Sequence, residues 1–180
     1  VEHCLVPAME DLGRKFELGH VYLPEMIMAA QAASTVVEVL LPYFLRSEGQ
    51  QSITVVMGTV KDDVHDIGKN IVATILEGAG LKVVDLGTDV PAERFINAVQ
   101  ETGAKAVGLS ALLSTTLGRM EQIVQKLRET FPEDPPLIMV GGAPVTDQFA
   151  RSIGADFRGK SGSDAVSFIR KRMARTDIHP

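Results

Sequence analysis

Tryptophan is absent from this chain, and cysteine occurs once, at Cys4. A lone thiol can form neither an internal disulfide nor a cysteine-built metal site, so packing must hold the fold, and a reducing, cytoplasmic setting is expected. The plain expectation for Cys4 is a buried apolar thiol. Basic residues are also few: 18 Lys and Arg against 23 Asp and Glu leave a net charge of −5, with no basic cluster longer than Arg170-Lys171-Arg172. That argues against nucleic acid, because affinity for a phosphate backbone rests on basic patches. No apolar run approaches the roughly 20 residues that cross a bilayer. The amino terminus, with acidic Glu2, lacks the basic-then-apolar order of a signal peptide. What remains is 180 residues, 45% of them hydrophobic, enough for one packed domain and a smaller appendage.

Residues 1–47 read as helical throughout. Leu5, Met9, Leu12 and Phe16 form one stripe, and Leu23, Ile27, Ala30, Val37 and Leu41 another, with Gly19 between them. Pro24 suits a first helical turn, whereas Pro42 should kink or end the second helix before the polar linker Ser47-Glu-Gly-Gln50. Two such helices leave much apolar surface uncovered, so this cap is expected to be part of a larger bundle or to complete one with a second copy. From residue 52 to 176 strands and helices alternate. Strands are expected near 52–58, 82–86, 105–109 and 136–140, with a short one near 155–158; helices are expected near 67–79, 91–102, 115–130, 145–153 and 162–174. Pro91 should open a helix, and Gly80 and Gly103 sit where helix C-caps belong. The alternation predicts an α/β, doubly wound, five-stranded parallel sheet of the Rossmann-like or flavodoxin-like kind.

The most informative segment runs from Gly58 to Asn70 and contains Asp63, His65 and Gly68 in the order D-x-H-x-x-G. A β-branched run, Ile53–Met57, precedes it and a helical pattern follows, so the motif occupies a strand-to-helix loop at the sheet edge where ligands bind in such folds. By itself a histidine there can equally cap a helix or face solvent. Asp63 strengthens the case for metal ligation, because ligating histidines commonly donate their second ring N–H to a carboxylate. Gly68 could admit a large group at the helix start or serve close helix packing. Two further sets lie at later strand ends: Ser110-Ala-Leu112 with Ser114, Thr115 and Thr116, and Gly141-Gly142-Ala-Pro144. Hydroxyls cap helices and paired glycines make turns. Small residues at three strand exits would also leave a slot open.

Together, D-x-H-x-x-G, the later S-x-L and the G-G pair resemble the cobalamin-binding signature. The helical leader with Phe16, Leu23 and Pro24 resembles the cap of methionine synthase and of the corrinoid proteins in methanol, methylamine and O-demethylase methyltransferase systems. The resemblance implies a cobalamin cofactor, as methylcobalamin or another corrinoid, with His65 replacing the cofactor's own base below cobalt. It implies that Asp63 partners His65 and that Thr116 completes the relay with a hydroxyl where a serine is usual. Ser110, Leu112, Ser114, Gly141 and Gly142 would line the channel for the displaced nucleotide tail, beside Gly68, and Phe16 and Leu23 would cover the upper face. Lys69 and Asn70 are candidate partners for corrin amides, and Arg158 and Lys160 depart from the smaller, more neutral run expected there.

The implied activity is that of a methyl carrier, not a complete catalyst. Its partners would be a substrate-specific corrinoid methyltransferase, an acceptor methyltransferase dependent on tetrahydrofolate or a thiol, and a reductive activator, with no nucleic acid and no membrane. Other readings share parts of the pattern. A cobalamin sensor would retain the signature, but the light-sensing regulators carry a tryptophan at the position of Phe16. A mutase subunit would pair the signature with a barrel. His65-Asp66-Ile67-Gly68 also resembles the HD phosphohydrolase motif, which belongs on a helix with further His and Asp ligands. A phospho-acceptor receiver would need an aspartate where Ser110 stands.

Overall fold

Two helices lead the chain, α1 (Leu5–Glu17) and α2 (Leu23–Phe44). The sheet portion follows as β1 (Thr54–Thr59), α3 (Ile67–Gly78), β2 (Lys82–Asp85), α4 (Ala92–Thr102) and β3 (Ala106–Ser110). After a 3-10 turn at Ser114–Thr116 come α5 (Leu117–Thr130), β4 (Leu137–Gly141), α6 (Asp147–Ser152), β5 (Phe157–Arg158) and α7 (Gly162–Thr176). This is a computed structural model, and it describes residues 5–44, 53–159 and 161–176. Cys4, the segment Ser47–Gln50 and Lys160 lie outside the described residues.

The strands order as β2-β1-β3-β4-β5, every neighbouring pair parallel. The chain steps from β1 outward to β2 and then returns to place β3 on the other flank, so the strand order reverses between β1 and β3. Loops diverge at such a point and open a crevice at the carboxyl edge. Register sharpens this, because Thr59 pairs with Ser110 and Ser110 with Gly141. The exits of β1, β3 and β4 therefore stand level.

Side chains alternate across the sheet with the two-residue period of strands. Val56, Val60, Val107 and Leu109 face α4 and α5, where they join Phe95, Met120, Ile123 and Leu127. Val55, Met57, Ala106 and Met139 face the other way, onto Leu76 of α3 and Ala165 and Ile169 of α7. Phe95 is wholly buried and depends on a glycine: a Cβ on Gly58 would lie 2.7 Å from its ring. The leader is different. α1 packs on α2 and α2 touches α3, yet Leu18, Tyr22 and Met28 remain 69%, 73% and 69% exposed, so apolar surface is left uncovered there.

The parallel five-stranded sheet agrees with expectation, with local differences. The second helix continues two residues past Pro42 to Phe44; a proline this close to a helix end removes one hydrogen bond, and the final turn forms without it. Pro91 holds an extended backbone as the N-cap, so α4 begins at Ala92. Gly80 and Gly103 adopt φ of 84° and 63°, as chain reversal after a helix requires. The helix expected from residue 115 begins two residues later, because the amide of Thr116 bonds back to the Leu113 carbonyl at 3.1 Å and tightens the entry into a 3-10 turn. Truncating the central ring should show how far this core carries the fold: Phe95→Ala is expected to lower stability by about 3–5 kcal/mol in urea unfolding.

A histidine at the rim of an apolar cleft

Beyond β1 the chain turns through Asp62, whose φ of 68° is left-handed. Asp89 holds this turn from the neighbouring loop: its Oδ1 accepts the Asp62 N–H at 2.8 Å, and its own N–H donates to the Asp63 carbonyl at 2.9 Å. Arg119 pairs with the Asp62 carboxylate at 2.9 Å. The outcome is that Asp63 points inward, fully buried. Its Oδ1 accepts the backbone N–H of His65 at 3.1 Å and lies 2.8 Å from His65 Nδ1. Its Oδ2 accepts the N–H groups of Leu112 and Leu113 at 2.8 and 3.2 Å, and the Thr116 hydroxyl at 3.1 Å.

Burial pushes the Asp63 carboxyl up. The N–H of Leu112, the His65 ring and the N–H groups of His65 and Leu113 together outweigh it and hold the group well below the usual carboxylate range. An ionised carboxylate only accepts, so the hydrogen on the imidazole sits at Nδ1 and Nε2 keeps its lone pair. Thr116 is itself buried, and its Oγ1 also lies 2.8 Å from the Leu113 carbonyl, so one hydroxyl proton serves two acceptors.

A cleft of about 490 Å³ opens beside this ring between α3, α7 and the exits of β1, β3 and β4. Seven candidate contacts from the sequence line it: His65, Gly68, Lys69, Ser110, Leu112, Gly141 and Gly142. Asp63 and Thr116 stand behind the imidazole as its supports. Ser114 is exposed on the 3-10 turn and is not part of the lining, and neither are Phe16 and Leu23, which are 38% and 44% exposed on the leader. Lys69, a candidate partner for corrin amides from the sequence, lines the cleft as well; it is buried, with its ammonium bound to Asp85 and Asn70.

Sequence reasoning missed the floor of the cleft. Met57, Gly108 and Met139 pair across three strands and all line it. The signal was Gly108 inside an apolar strand, the mark of a close approach; a Cβ there would press on the Met57 side chain at 3.2 Å. Phe157, Gly159 and Ala165 complete the far wall.

Two observations test the fit of a bound corrinoid. A Cβ at Gly68 would meet no protein atom within 4 Å, and one at Gly141 would meet only the Gly159 carbonyl at 3.9 Å, so no packing within the protein calls for glycine at either place. The free space belongs to the cleft. Gly142 differs, since a Cβ at its φ of 120° would strike the Ala111 carbonyl at 1.8 Å, which makes it a backbone requirement. Secondly, among the described residues no group of three or more His, Cys, Asp or Glu side chains could hold a metal. A lone imidazole suits a metal that arrives already held in a macrocycle, and does not suit an HD-type hydrolase centre. Among the described residues no helix is long and apolar enough to cross a membrane.

Models of B12 binding domains match residues 53–167 and, separately, residues 1–41, so the sheet with its cleft is a B12-binding domain. The trimethylamine corrinoid protein 1 of Methanosarcina acetivorans is 42% identical over 94% of this chain and 80% of its own length. A solved cobalamin-binding protein from Desulfitobacterium hafniense superposes with a TM-score of 0.75 at 30% identity, over 91% of this chain and 77% of that one. A chain of the methanol:cobalamin methyltransferase complex from Methanosarcina barkeri gives 0.71 at 28% identity, over 99% and 71%. The chain belongs to the cobalamin-binding corrinoid proteins of methyltransferase systems, and cobalamin is its cofactor.

The buried carboxylate sets a pH dependence of stability. Its folded pKa lies below the unfolded value of about 3.9, so its contribution is full above that value and is lost as the pH falls through the folded one. In urea unfolding of the cofactor-free protein, the advantage of wild type over Asp63→Asn is expected to shrink as the pH falls below about 4.

Proposed function

We propose that this protein is a cytoplasmic methyl carrier in which His65 Nε2 is the lower axial ligand of cobalamin cobalt. The observation that carries the reading is the half-exposed imidazole, held at Nδ1 by a fully buried carboxylate, at the mouth of an apolar cleft. Bound cobalamin supplies a cobalt centre able to take up and give up a methyl group. The protein's share is positioning and tuning. Asp63 orients the ring through Nδ1 and leaves the lone pair on Nε2.

The cleft is the place for the displaced nucleotide tail. Its mostly apolar lining suits an aromatic base, with Ser110, Leu112, Gly141 and Gly142 at the mouth and Ser114 nearby. Gly68 leaves room at the helix start. Phe16 and Leu23 would cover the other face of the corrin when the leader helices lie over it, excluding water until a partner draws them aside. The exposed apolar side chains along the leader support such a moving cover.

Partners follow from the chemistry. A carrier sees only the methyl group, so donor specificity resides in a substrate-specific corrinoid methyltransferase, and an acceptor methyltransferase, tetrahydrofolate- or thiol-dependent, removes the group. A reductive activator would restore the nucleophilic metal after oxidation. The similarity to a trimethylamine corrinoid protein and to a chain of a methanol:cobalamin methyltransferase complex supports this division of labour.

EPR of the Co(II) form tests the ligand. Protein labelled with 15N-histidine should change the nitrogen splitting of the wild type and leave His65→Ala unchanged; splitting indifferent to the label would remove His65 from the metal. Asp63→Asn should bind hydroxocobalamin about 10–100-fold more weakly, read from the visible spectrum. Loaded protein given a methyl donor and its cognate methyltransferase should turn over, which a pure sensor would not do.

A further inference from the structure

The loop that presents His65 is not held by packing. Val64 is 72% exposed, Ile67 is 51% exposed, and the His65 side chain is 46% exposed. Asp63 does not fix the ring alone, because a single oxygen, Oδ1, serves both the His65 N–H and Nδ1. Two bonds to one atom leave a pivot. A second anchor on the other side of the residue would stop it, and Thr59 is in that place: its hydroxyl donates to the His65 carbonyl at 2.9 Å.

Thr59 is built to hold still. It is the last residue of β1, fully buried and paired with Ser110. Its N–H donates to the Gly87 carbonyl at 2.9 Å, and its carbonyl accepts the Val90 N–H at 3.0 Å. The hydroxyl therefore projects from backbone fixed on both flanks. It reaches six residues ahead, to the last carbonyl before Asp66, the N-cap of α3.

We propose that Thr59 is a positioning residue for His65, locking the peptide while Asp63 locks the ring, so that Nε2 is held at one place over the cleft mouth. The inference rests on the reading of His65 as the cobalt ligand. It assigns Thr59 a task separate from the strand pairing that its backbone performs. Val keeps the shape of Thr without the donor, and Ser keeps the donor without the methyl group. The two substitutions therefore separate hydrogen bonding from packing.

The experiment is EPR of the full chain loaded with cobalamin, as Co(II), with 15N-histidine labelling. Thr59→Val should lower the ratio of histidine-ligated to unligated cobalt about 5–10-fold, the worth of one hydrogen bond, and Thr59→Ser should stay within about twofold of wild type. Hydrogen exchange of the cofactor-free protein gives a second readout: amides at Val64–Ile67 should exchange faster in Thr59→Val and not in Thr59→Ser. If Thr59→Val fails to fold, Thr59→Ala takes its place with the same expectation. A wild-type ratio in the variant lacking the hydroxyl, or equal loss with serine, overturns the role. Absence of histidine coupling in the wild type overturns the ligand assignment itself and this role with it.

Discussion

A buried carboxylate with all its lone pairs engaged organises this molecule's working edge. Asp63 has no contact with water, and leaving such a charge without partners would be strongly unfavourable. Its five polar contacts come from two regions of chain: His65 in its own loop, and Leu112, Leu113 and Thr116 after β3. The loops after β1 and β3 are therefore tied to each other by the group that orients the imidazole. Any displacement of one strand exit moves the histidine, and the two sides of the crevice act as a unit.

Much of this was legible in the sequence because the signals were local or periodic. The β-branched runs and the helical spacing between them gave a parallel sheet, and the three motifs fell at strand ends that the register brings level, Thr59 beside Ser110 and Ser110 beside Gly141. The pairing of Asp63 with His65 followed from chemistry at a spacing of two. Helix boundaries were less readable. Whether a proline ends a helix depends on how many bonds remain after it, which is why α2 continues past Pro42 and α4 starts beyond Pro91.

What stayed hidden are contacts formed by backbone groups and by distant strands. No side-chain pattern announces that the amides of Leu112 and Leu113 point at a carboxylate some fifty positions earlier. The cleft floor of Met57, Gly108 and Met139 read simply as strand core, since a wall residue of a slot and a core residue share the same composition. The burial of Lys69 was hidden for a related reason: a lysine at a helix start is ordinarily solvated, and the position of Asp85 at the end of β2 makes its burial in the cleft wall tolerable.

The distribution of rigidity also has a functional logic. Around His65 the chain is held by hydrogen bonds to buried anchors, with little packing over it, so the imidazole can be stationary and still accessible. The leader has the opposite character: apolar side chains at Leu18, Tyr22 and Met28 remain exposed and no such anchors tie its tip to the sheet edge among the described residues. In the proposed carrier, a group handed from one enzyme to another would need a fixed floor and a removable cover. Hydrogen bonds of defined direction suit the first, because they resist small displacements; apolar contact suits the second, because it is non-directional and can be remade against a partner's surface.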